Sequence, residues 1–362
     1  MQVCQLFNWC AFVKKLQALI GESMQALEYH YKKRRLKEFV DRFVKARILV
    51  IGDVIMDEFI WGDVSRISPE APVPIVEVKR ETKMLGGSAN VINNIASLGA
   101  RPVLCGIVGD DLNGEEIFRI IRGMGLETNG IVTEKGRHTS IKTRIVAHSQ
   151  QVVRFDRESR LNIRGESIEY LLNFVKNNLN NLDAIVISDY GKGVISDLLM
   201  KELRTLIDNF SGRSIIIAVD PKLGNFQYYH GVNVITPNHH EAGAFCGFDI
   251  IDEETLERAG KQILHELDCR SVLITQGKDG MTLFENGGEI IHIPTVAKKV
   301  YDVTGAGDTV IGTFSLGLAC GLDFKSAAVL SNFAAGIVVG EVGTSVVRAE
   351  ELKQAIDIPF DD

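Results

Sequence analysis

The sequence predicts an α/β protein with a mainly parallel central sheet, helices on both faces in three layers, and a small β lid. Two patterns carry that expectation. From Arg47 onward, short β-branched runs alternate with helical stretches, the order of a parallel sheet whose strands are buried on both faces. Two segments, about 57–81 and 139–156, break the rhythm with the alternation of exposed or antiparallel strands, and these form the predicted lid. A length of 362 residues suits one large domain or two unequal ones.

In chain order, residues 1–35 read as a helical extension and 36–362 as the main domain. Residues 1–46 hold no proline, one glycine and the basic run Lys32-Lys33-Arg34-Arg35-Leu36-Lys37, which reads as a solvated helix face or, alternatively, as a contact for an acidic surface. Leu36, Phe39, Val40, Phe43 and Val44 recur at helical spacing, so this stretch is expected to pack on the main domain. Buried strands are expected at Ile48–Gly52, Ala184–Ser188, Ser214–Val219, Val232–Thr236 and Ser271–Thr275. Helices are expected at Glu166–Leu179, Asp197–Phe210 and Leu256–Leu267, with an apolar, small-residue helix over Val310–Cys320.

Composition narrows the function. Apolar residues at 45% and charged residues at 24% are globular values and exclude disordered or fibrous classes. A net charge of −7 provides no positive field for nucleic acid. The six cysteines, at 4, 10, 105, 246, 269 and 320, form no CxxC pair and fit a reducing cytoplasm. Apolar stretches such as Ser326–Gly343 are interrupted and short of the ~20 residues of a membrane span. The N-terminus lacks a basic leader and cleavage site, so a cytoplasmic protein with no membrane partner is expected.

In an open parallel sheet, ligands gather beyond the carboxyl ends of the strands. Several predicted strands end in polar residues: Gly52-Asp53-Val54-Ile55-Met56-Asp57, Ser188-Asp189-Tyr190-Gly191-Lys192-Gly193, Asp220-Pro221-Lys222, Thr236-Pro237-Asn238-His239-His240-Glu241 and Thr275-Gln276-Gly277-Lys278-Asp279-Gly280. Each alone reads better as a turn or helix cap, where Asp and Asn are favoured; five together point to a site. In Asp302-Val303-Thr304-Gly305-Ala306-Gly307-Asp308-Thr309, the backbone N–H groups of Gly305, Ala306 and Gly307 can form an anion cradle at a helix N-terminus. Asp308 within it suits a general base for a hydroxyl, the other reading being an N-cap in a glycine loop. No P-loop sequence is present. Gly86-Gly87-Ser88-Ala89-Asn90 opens a helix, and Asn90 offers the donor and acceptor that a polyhydroxyl ligand needs. His239 and His240 lack the companions of a zinc site and read as helix-start residues, while Cys105, Cys246 and Cys320 read as packing.

These segments resemble the signatures of the ribokinase-like (PfkB) carbohydrate kinases: Gly86–Asn90, Asp302–Asp308 and the N-x-x-E motif Asn238–Glu241, in that order. Ser65–Pro74, Gln150–Asp156 and Ser188–Gly193 further resemble the D-glycero-β-D-manno-heptose 7-phosphate kinases, the kinase half of the bifunctional heptose kinase/adenylyltransferases. The resemblance covers about residues 36–350 and implies a ribokinase-like fold. It implies ATP-dependent phosphorylation of the anomeric hydroxyl of the heptose 7-phosphate to the 1,7-bisphosphate, on the route to ADP-heptose and lipopolysaccharide core.

On this resemblance Asp308 is the catalytic base, and the backbone at Gly305, Ala306 and Gly307 stabilises the transferring phosphoryl group. Asn238 and Glu241 organise Mg²⁺ through water. Thr275, Gly277 and Asn332 lie near ATP beside the loop 340–345, and Lys222 reaches a phosphate or pairs with Asp220. Asp302 and Thr304 are implied holders of a monovalent cation such as K⁺. Asp53, Asp57, Gly86, Gly87 and Asn90 face sugar hydroxyls, and Asp189 belongs to the substrate side. The cations for the sugar phosphate are to be drawn from Arg66, Lys142, Arg144, Arg154 and Lys192. A homodimer through the lid is implied. The chain has no His-x-Gly-His motif, so adenylyl transfer is expected on a separate adenylyltransferase. Two other readings stay open: a kinase of another sugar or sugar phosphate, and a catalytically idle nucleotide- or sugar-binding protein.

Overall fold

The structure, a computed structural model, describes residues 33–148, 150–297, 300, 302–341, 343 and 345–357. The extension expected at 1–35 lies almost entirely outside the described residues, as do Cys4 and Cys10. Residues 33–40 form a helical segment, α1, that buries Phe39 and Val40, and Phe43 follows them into the core. Val44, expected to pack with them, is exposed instead, because the helix gives way to a 3-10 turn at Phe43–Lys45 that turns it outward. Two lysines of the basic run are not simply solvated: Lys37 Nζ lies 2.6 Å from the Asp357 carboxylate and Lys33 Nζ donates to the Asp357 carbonyl at 2.8 Å.

Strand β1 (Arg47–Ile67) is far longer than the expected Ile48–Gly52 and serves two sheets. Its first half pairs in parallel with β3 (Arg101–Gly109) and with β7 (Ala184–Ser188). Its second half pairs antiparallel with β2 (Pro74–Gly87) and parallel with β5 (Ser140–Ala147), to which β6 (Gln150–Arg157) adds an antiparallel edge. Hence the outer sheet runs β2-β1-β5-β6, and the segments expected at 57–81 and 139–156 fall within it. Between these strands come α2 (Ser88–Ser97), α3 (Leu112–Gly123) and β4 (Ile131–Glu134).

The second half of the chain supplies α4 (Gly165–Asn178), α5 (Asp197–Asp208), β8 (Ile216–Asp220), β9 (Val234–Ile235), α6 (His239–Cys246) and α7 (Glu253–Leu267). It continues with β10 (Ser271–Thr275), β11 (Met281–Glu285), β12 (Ile290–Ile293), α8 (Ala306–Ala319), α9 (Phe324–Val338) and α10 (Ala349–Asp357). The central sheet has the order β12-β11-β10-β9-β8-β7-β1-β3-β4, parallel except for its β10-β11-β12 edge. Strand β9 is shorter than Val232–Thr236 because the Asn233 side chain, rather than a further ladder rung, takes the Ile217 N–H at 2.7 Å. Helix α8 starts four residues before the expected Val310, since Gly305 adopts a left-handed φ of 81° and the small residues after it are helical at once.

Alternation along β1 divides the core. Ile48 and Val50 face α2, α3, α8 and α9 with Ile92, Ile117, Phe314 and Ala327; Leu49 and Ile51 face α4, α5 and α7 with Leu171, Leu203 and Ile263. None of the described helices is long and apolar enough to cross a membrane. At the point where β1 leaves the central sheet, a Cβ on Gly52 would stand 1.9 Å from the Ser188 carbonyl oxygen, which belongs to β7 backbone and cannot swing aside. Gly52→Ala is therefore expected to destabilise the fold by about 1–3 kcal/mol or more, read as a lower denaturation midpoint; an unchanged midpoint would show that β1 and β7 are not in this register.

Candidate active site

The middle of β1, where it leaves the central sheet, and the carboxyl ends of β7 and β8 meet the first turn of α8 beneath the outer sheet. Asp308, in that turn, is buried. Its Oδ2 accepts the Asn90 side-chain N–H at 2.7 Å, and its Oδ1 accepts the Tyr190 hydroxyl. A second bridge, from Thr309 Oγ1 to Asn94 Oδ1 at 2.8 Å, fastens α8 to α2 beside it. Burial pushes the Asp308 carboxyl up to about 6; the Tyr190 and Asn90 donors and Lys142 oppose this, and Asp57 adds to it. The N–H groups of Gly305 and Gly307 have no partner among the described residues, and a Cβ on Gly307 would meet nothing within 4 Å. Open space and unpaired donors at a helix N-terminus make a place for an anion. Ala306 departs from the expected cradle, its N–H being taken by the Val303 carbonyl at 3.2 Å.

Glycines shape the other wall. A Cβ on Gly86 would stand 2.1 Å from Asp57 Oδ2, and Gly87, with φ of 55°, turns β2 into α2 so that Asn90 reaches Asp308. Asp57 is buried and paired with Arg144, whose guanidinium also lies over the Phe59 ring at 5.2 Å. The Asn90 Oδ1 and Ser88 Oγ atoms are buried without a partner, as polar atoms awaiting a ligand would be. Lys142 projects from β5 with its ammonium 4.9 Å from the Tyr190 ring centroid; among the described residues no carboxylate lies within ion-pair distance of it. Burial holds its pKa below the usual lysine range, Lys192, Arg144 and Arg154 push the same way, and Asp57 opposes them.

Several residues expected to face ligands also make contacts within the fold. Both oxygens of Asp53 are taken by the backbone N–H groups of Tyr190, Lys192 and Val194, at 2.8, 3.0 and 3.1 Å. Asp189 accepts the Gly191 N–H at 2.7 Å, the Asn225 amide at 2.7 Å and the Tyr229 hydroxyl. Asn238 and Glu241 form a capping box on α6, with Glu241 N–H to Asn238 Oδ1 at 2.9 Å and Asn238 N–H to Glu241 Oε2 at 3.2 Å. That leaves Glu241 Oε1 facing Lys222 Nζ at 3.5 Å. Asp302 turns its oxygens to Thr304 and to the Gly343 N–H at 3.0 Å, so this pair builds a turn. Asn332 gives its amide to the Pro294 carbonyl at 2.7 Å. Thr275 bridges to Asn238, and Gly277, with φ of 60°, stands in open space.

The expected cations separate in the same way. Arg66 is exposed where β1 and β2 converge at the tip of the outer sheet. Arg154 is on the exposed edge strand β6 and pairs with Asp156 at 3.0 Å. Lys192 pairs with Glu158, leaving Lys142 and Arg144 beside Asp57. Two residues without an assigned role in the sequence also belong here. Tyr190 sits in a glycine-rich turn two residues past β7, and Asp220 ends β8; both positions are strand termini, which was the available signal. Burial raises Asp220 well above the usual carboxylate range, and Asp308, Glu241 and Asp189 add to the effect.

A family model described as pfkB family carbohydrate kinase matches residues 45–351. The chain belongs to the pfkB carbohydrate kinase family. Among its relatives, the "Bifunctional protein HldE" of Desulfatibacillum aliphaticivorans is 44% identical over 314 residues, 87% of this chain and 64% of that protein. The protein of the same name from Citrifermentans bemidjiense is 43% identical over 322 residues, 88% of this chain and 65% of its own length. The chain thus spans less than two thirds of these curated relatives. Escherichia coli phosphofructokinase-2, solved in complex with substrates and products, superposes with a TM-score of 0.73 at 16% identity over 86% of this chain and 98% of that one. Arabidopsis thaliana ribokinase, solved with ribose and ATP, gives 0.67 at 16% identity over 87% and 99%. The fold is ribokinase-like, and the family to which the chain belongs is one of carbohydrate kinases.

If Asp308 acts as a base it must be ionised, and its carboxyl protonates as pH falls through about 6. The expected kcat/KM is flat above that pH and falls about tenfold per unit below it. A profile without an acid limb between pH 5 and 7 would remove Asp308 from the proton transfer.

Proposed function

We propose that this kinase transfers the γ-phosphoryl group of ATP to the anomeric hydroxyl of D-glycero-β-D-manno-heptose 7-phosphate, giving the 1,7-bisphosphate for ADP-heptose and lipopolysaccharide core synthesis. The observation that carries the chemistry is the buried Asp308 carboxylate held by two donors beside the unpaired N–H groups of Gly305 and Gly307. The heptose assignment rests on the sequence resemblance at Ser65–Pro74, Gln150–Asp156 and Ser188–Gly193. We assign this activity to a domain spanning 36–362 in which the outer sheet is the lid, in a cytoplasmic enzyme.

The sugar hydroxyl gives its proton to Asp308 as its oxygen bonds to the γ-phosphorus, and ADP leaves as the bridging P–O bond breaks. The Gly305 and Gly307 N–H groups face the charge on the transferring group, where each well-placed donor contributes roughly 3 kcal/mol. Asn90 Oδ1 and Ser88 Oγ, unpaired and buried, are the groups left to hold sugar hydroxyls. Lys142, unpaired beneath the lid, is assigned to the 7-phosphate, with Arg144 beside it.

The acidic surroundings of Asp220 and Glu241 suit a divalent cation carried with the nucleotide. Mg²⁺ prefers oxygen ligands and keeps part of its water, so it would be held by the nucleotide phosphates and water, with Asn238 and Glu241 behind the water. Mg²⁺ there would neutralise phosphate charge. Asp302 and Thr304 are kept as the candidate holders of a monovalent cation, through the carboxylate lone pairs that the turn leaves over. Adenylyl transfer is assigned to a separate catalytic unit.

ADP release with heptose 7-phosphate is expected to exceed that with the unphosphorylated heptose, fructose 6-phosphate or ribose. Asp308→Asn should lower kcat by about 10²–10⁴, and Lys142→Met should erase the preference for the phosphorylated heptose. Turnover of a different sugar would keep the kinase and discard the heptose assignment, while full activity in Asp308→Asn would discard the base. For the quaternary state we propose a homodimer through the lid, whose β6 is an exposed edge bearing Val152, Val153 and Phe155. Light scattering should give twice the chain mass; a monomer at working concentration would refute it.

A further inference from the structure

The segment after β7 is held more firmly than a connecting loop requires. Asp53, buried at the end of the central part of β1, accepts three of its N–H groups, from Tyr190, Lys192 and Val194. Asp189 accepts a fourth, from Gly191 at 2.7 Å. Arg137 clamps it from outside, with Nη2 on the Lys192 carbonyl and Nη1 on the Leu161 carbonyl at 3.0 Å. This array anchors one side chain that points into the site: Tyr190, whose hydroxyl donates to Asp308 Oδ1 while the Lys142 ammonium lies 4.9 Å from its ring centroid. A buried carboxylate anchoring a loop through backbone N–H groups fixes that loop's conformation, and with it the direction of the phenol.

We propose that Tyr190 is a positioning residue for phosphoryl transfer, its hydroxyl holding Asp308 Oδ1 so that the carboxylate stays oriented and ready to accept the sugar proton. The proposal rests on the reading of Asp308 as the base. Groups facing this pair are Asp57 from β1, Asn90 from α2, Lys142 from β5 and Asp220 from β8. Burial, followed by the charges of Asp308 and Asp220, keeps the phenol well above its ordinary pKa, so it remains a proton donor wherever the enzyme works. With Asn90 on Oδ2 and Tyr190 on Oδ1, the carboxylate cannot rotate freely, and the incoming hydroxyl approaches its remaining lone pairs. Losing the phenol removes a donor that offsets burial, so Asp308 would protonate at a higher pH.

Tyr190→Phe separates this role from packing, because phenylalanine keeps the ring beneath Lys142 and deletes only the hydroxyl. The expected result in the full chain is a kcat lower by about 10- to 100-fold, KM values for ATP and sugar phosphate within about threefold, and an acid limb moved to higher pH. Wild-type kcat with an unmoved acid limb, or a loss confined to sugar KM, would overturn the proposal. Arg137→Gln loosens the loop from outside the site and covers the case in which Tyr190→Phe does not fold: lower kcat at unchanged KM supports the proposal, and unchanged kcat overturns it. Asp308→Asn in the same assay keeps the two ideas apart. If it retains full turnover, the base assignment itself fails; if it is inactive while Tyr190→Phe is not, only the positioning role fails.

Discussion

Burying a carboxylate is costly unless donors replace its water, and Asp308 is given donors by residues 118 and 218 positions away in the chain. Neither reaches it unless the strands carrying them are in register. Asn90 depends on the Gly86-Gly87 turn from β2 into α2, and Tyr190 depends on Asp53 holding the turn after β7. The site is therefore a test of the whole sheet's assembly: a misplacement at any of three strand ends would leave a charge in the interior with no partner.

The same economy explains the number of acids at these strand ends. Some serve as scaffolding for a few with free capacity. Asp53, Asp189 and Asp302 bind backbone N–H groups, as turn-building carboxylates do, and Asn238 and Glu241 complete a helix cap. Asp57 spends itself on Arg144. Among the described residues, the groups left facing the opening include one oriented carboxylate, two unpaired backbone N–H groups, an unpaired amide oxygen, an unpaired hydroxyl and an unpaired ammonium. That set has the polarity a phosphoryl transfer needs, acceptor on one side and donors on the other.

Much of the architecture was legible because the central strands are buried on both faces and read as unbroken β-branched runs; Ala184–Ser188 and Ser271–Thr275 match to the residue. The length of β1 was not legible, since its second half lies in a partly exposed sheet where apolar and polar residues mix. Convergence of the strand ends could be inferred from topology, which is why Asp308, Asn90 and Asp57 fall together. Which oxygens stay free could not, because each is decided by N–H groups from distant segments, as Asp53 shows. Tyr190 escaped for the complementary reason: an aromatic residue in a glycine-rich turn carries no sequence pattern that distinguishes a pointer from a surface ring.

The pairing of α1 with α10 places the two ends of the described chain in contact, with Lys33 on the Asp357 carbonyl and Lys37 on its carboxylate. Such a clasp spans 320 residues or more and closes almost the whole polypeptide into a ring. In loop-closure terms it is among the last contacts the chain can form, since every shorter closure reduces its entropic cost first. Each end is also held by its own buried side chains, Phe39 and Val40 on one side and Leu352 and Ile356 on the other, and exposed lysine contacts add little to that packing. A common exit point also means that a unit tethered to one end would share its reach with a unit tethered to the other.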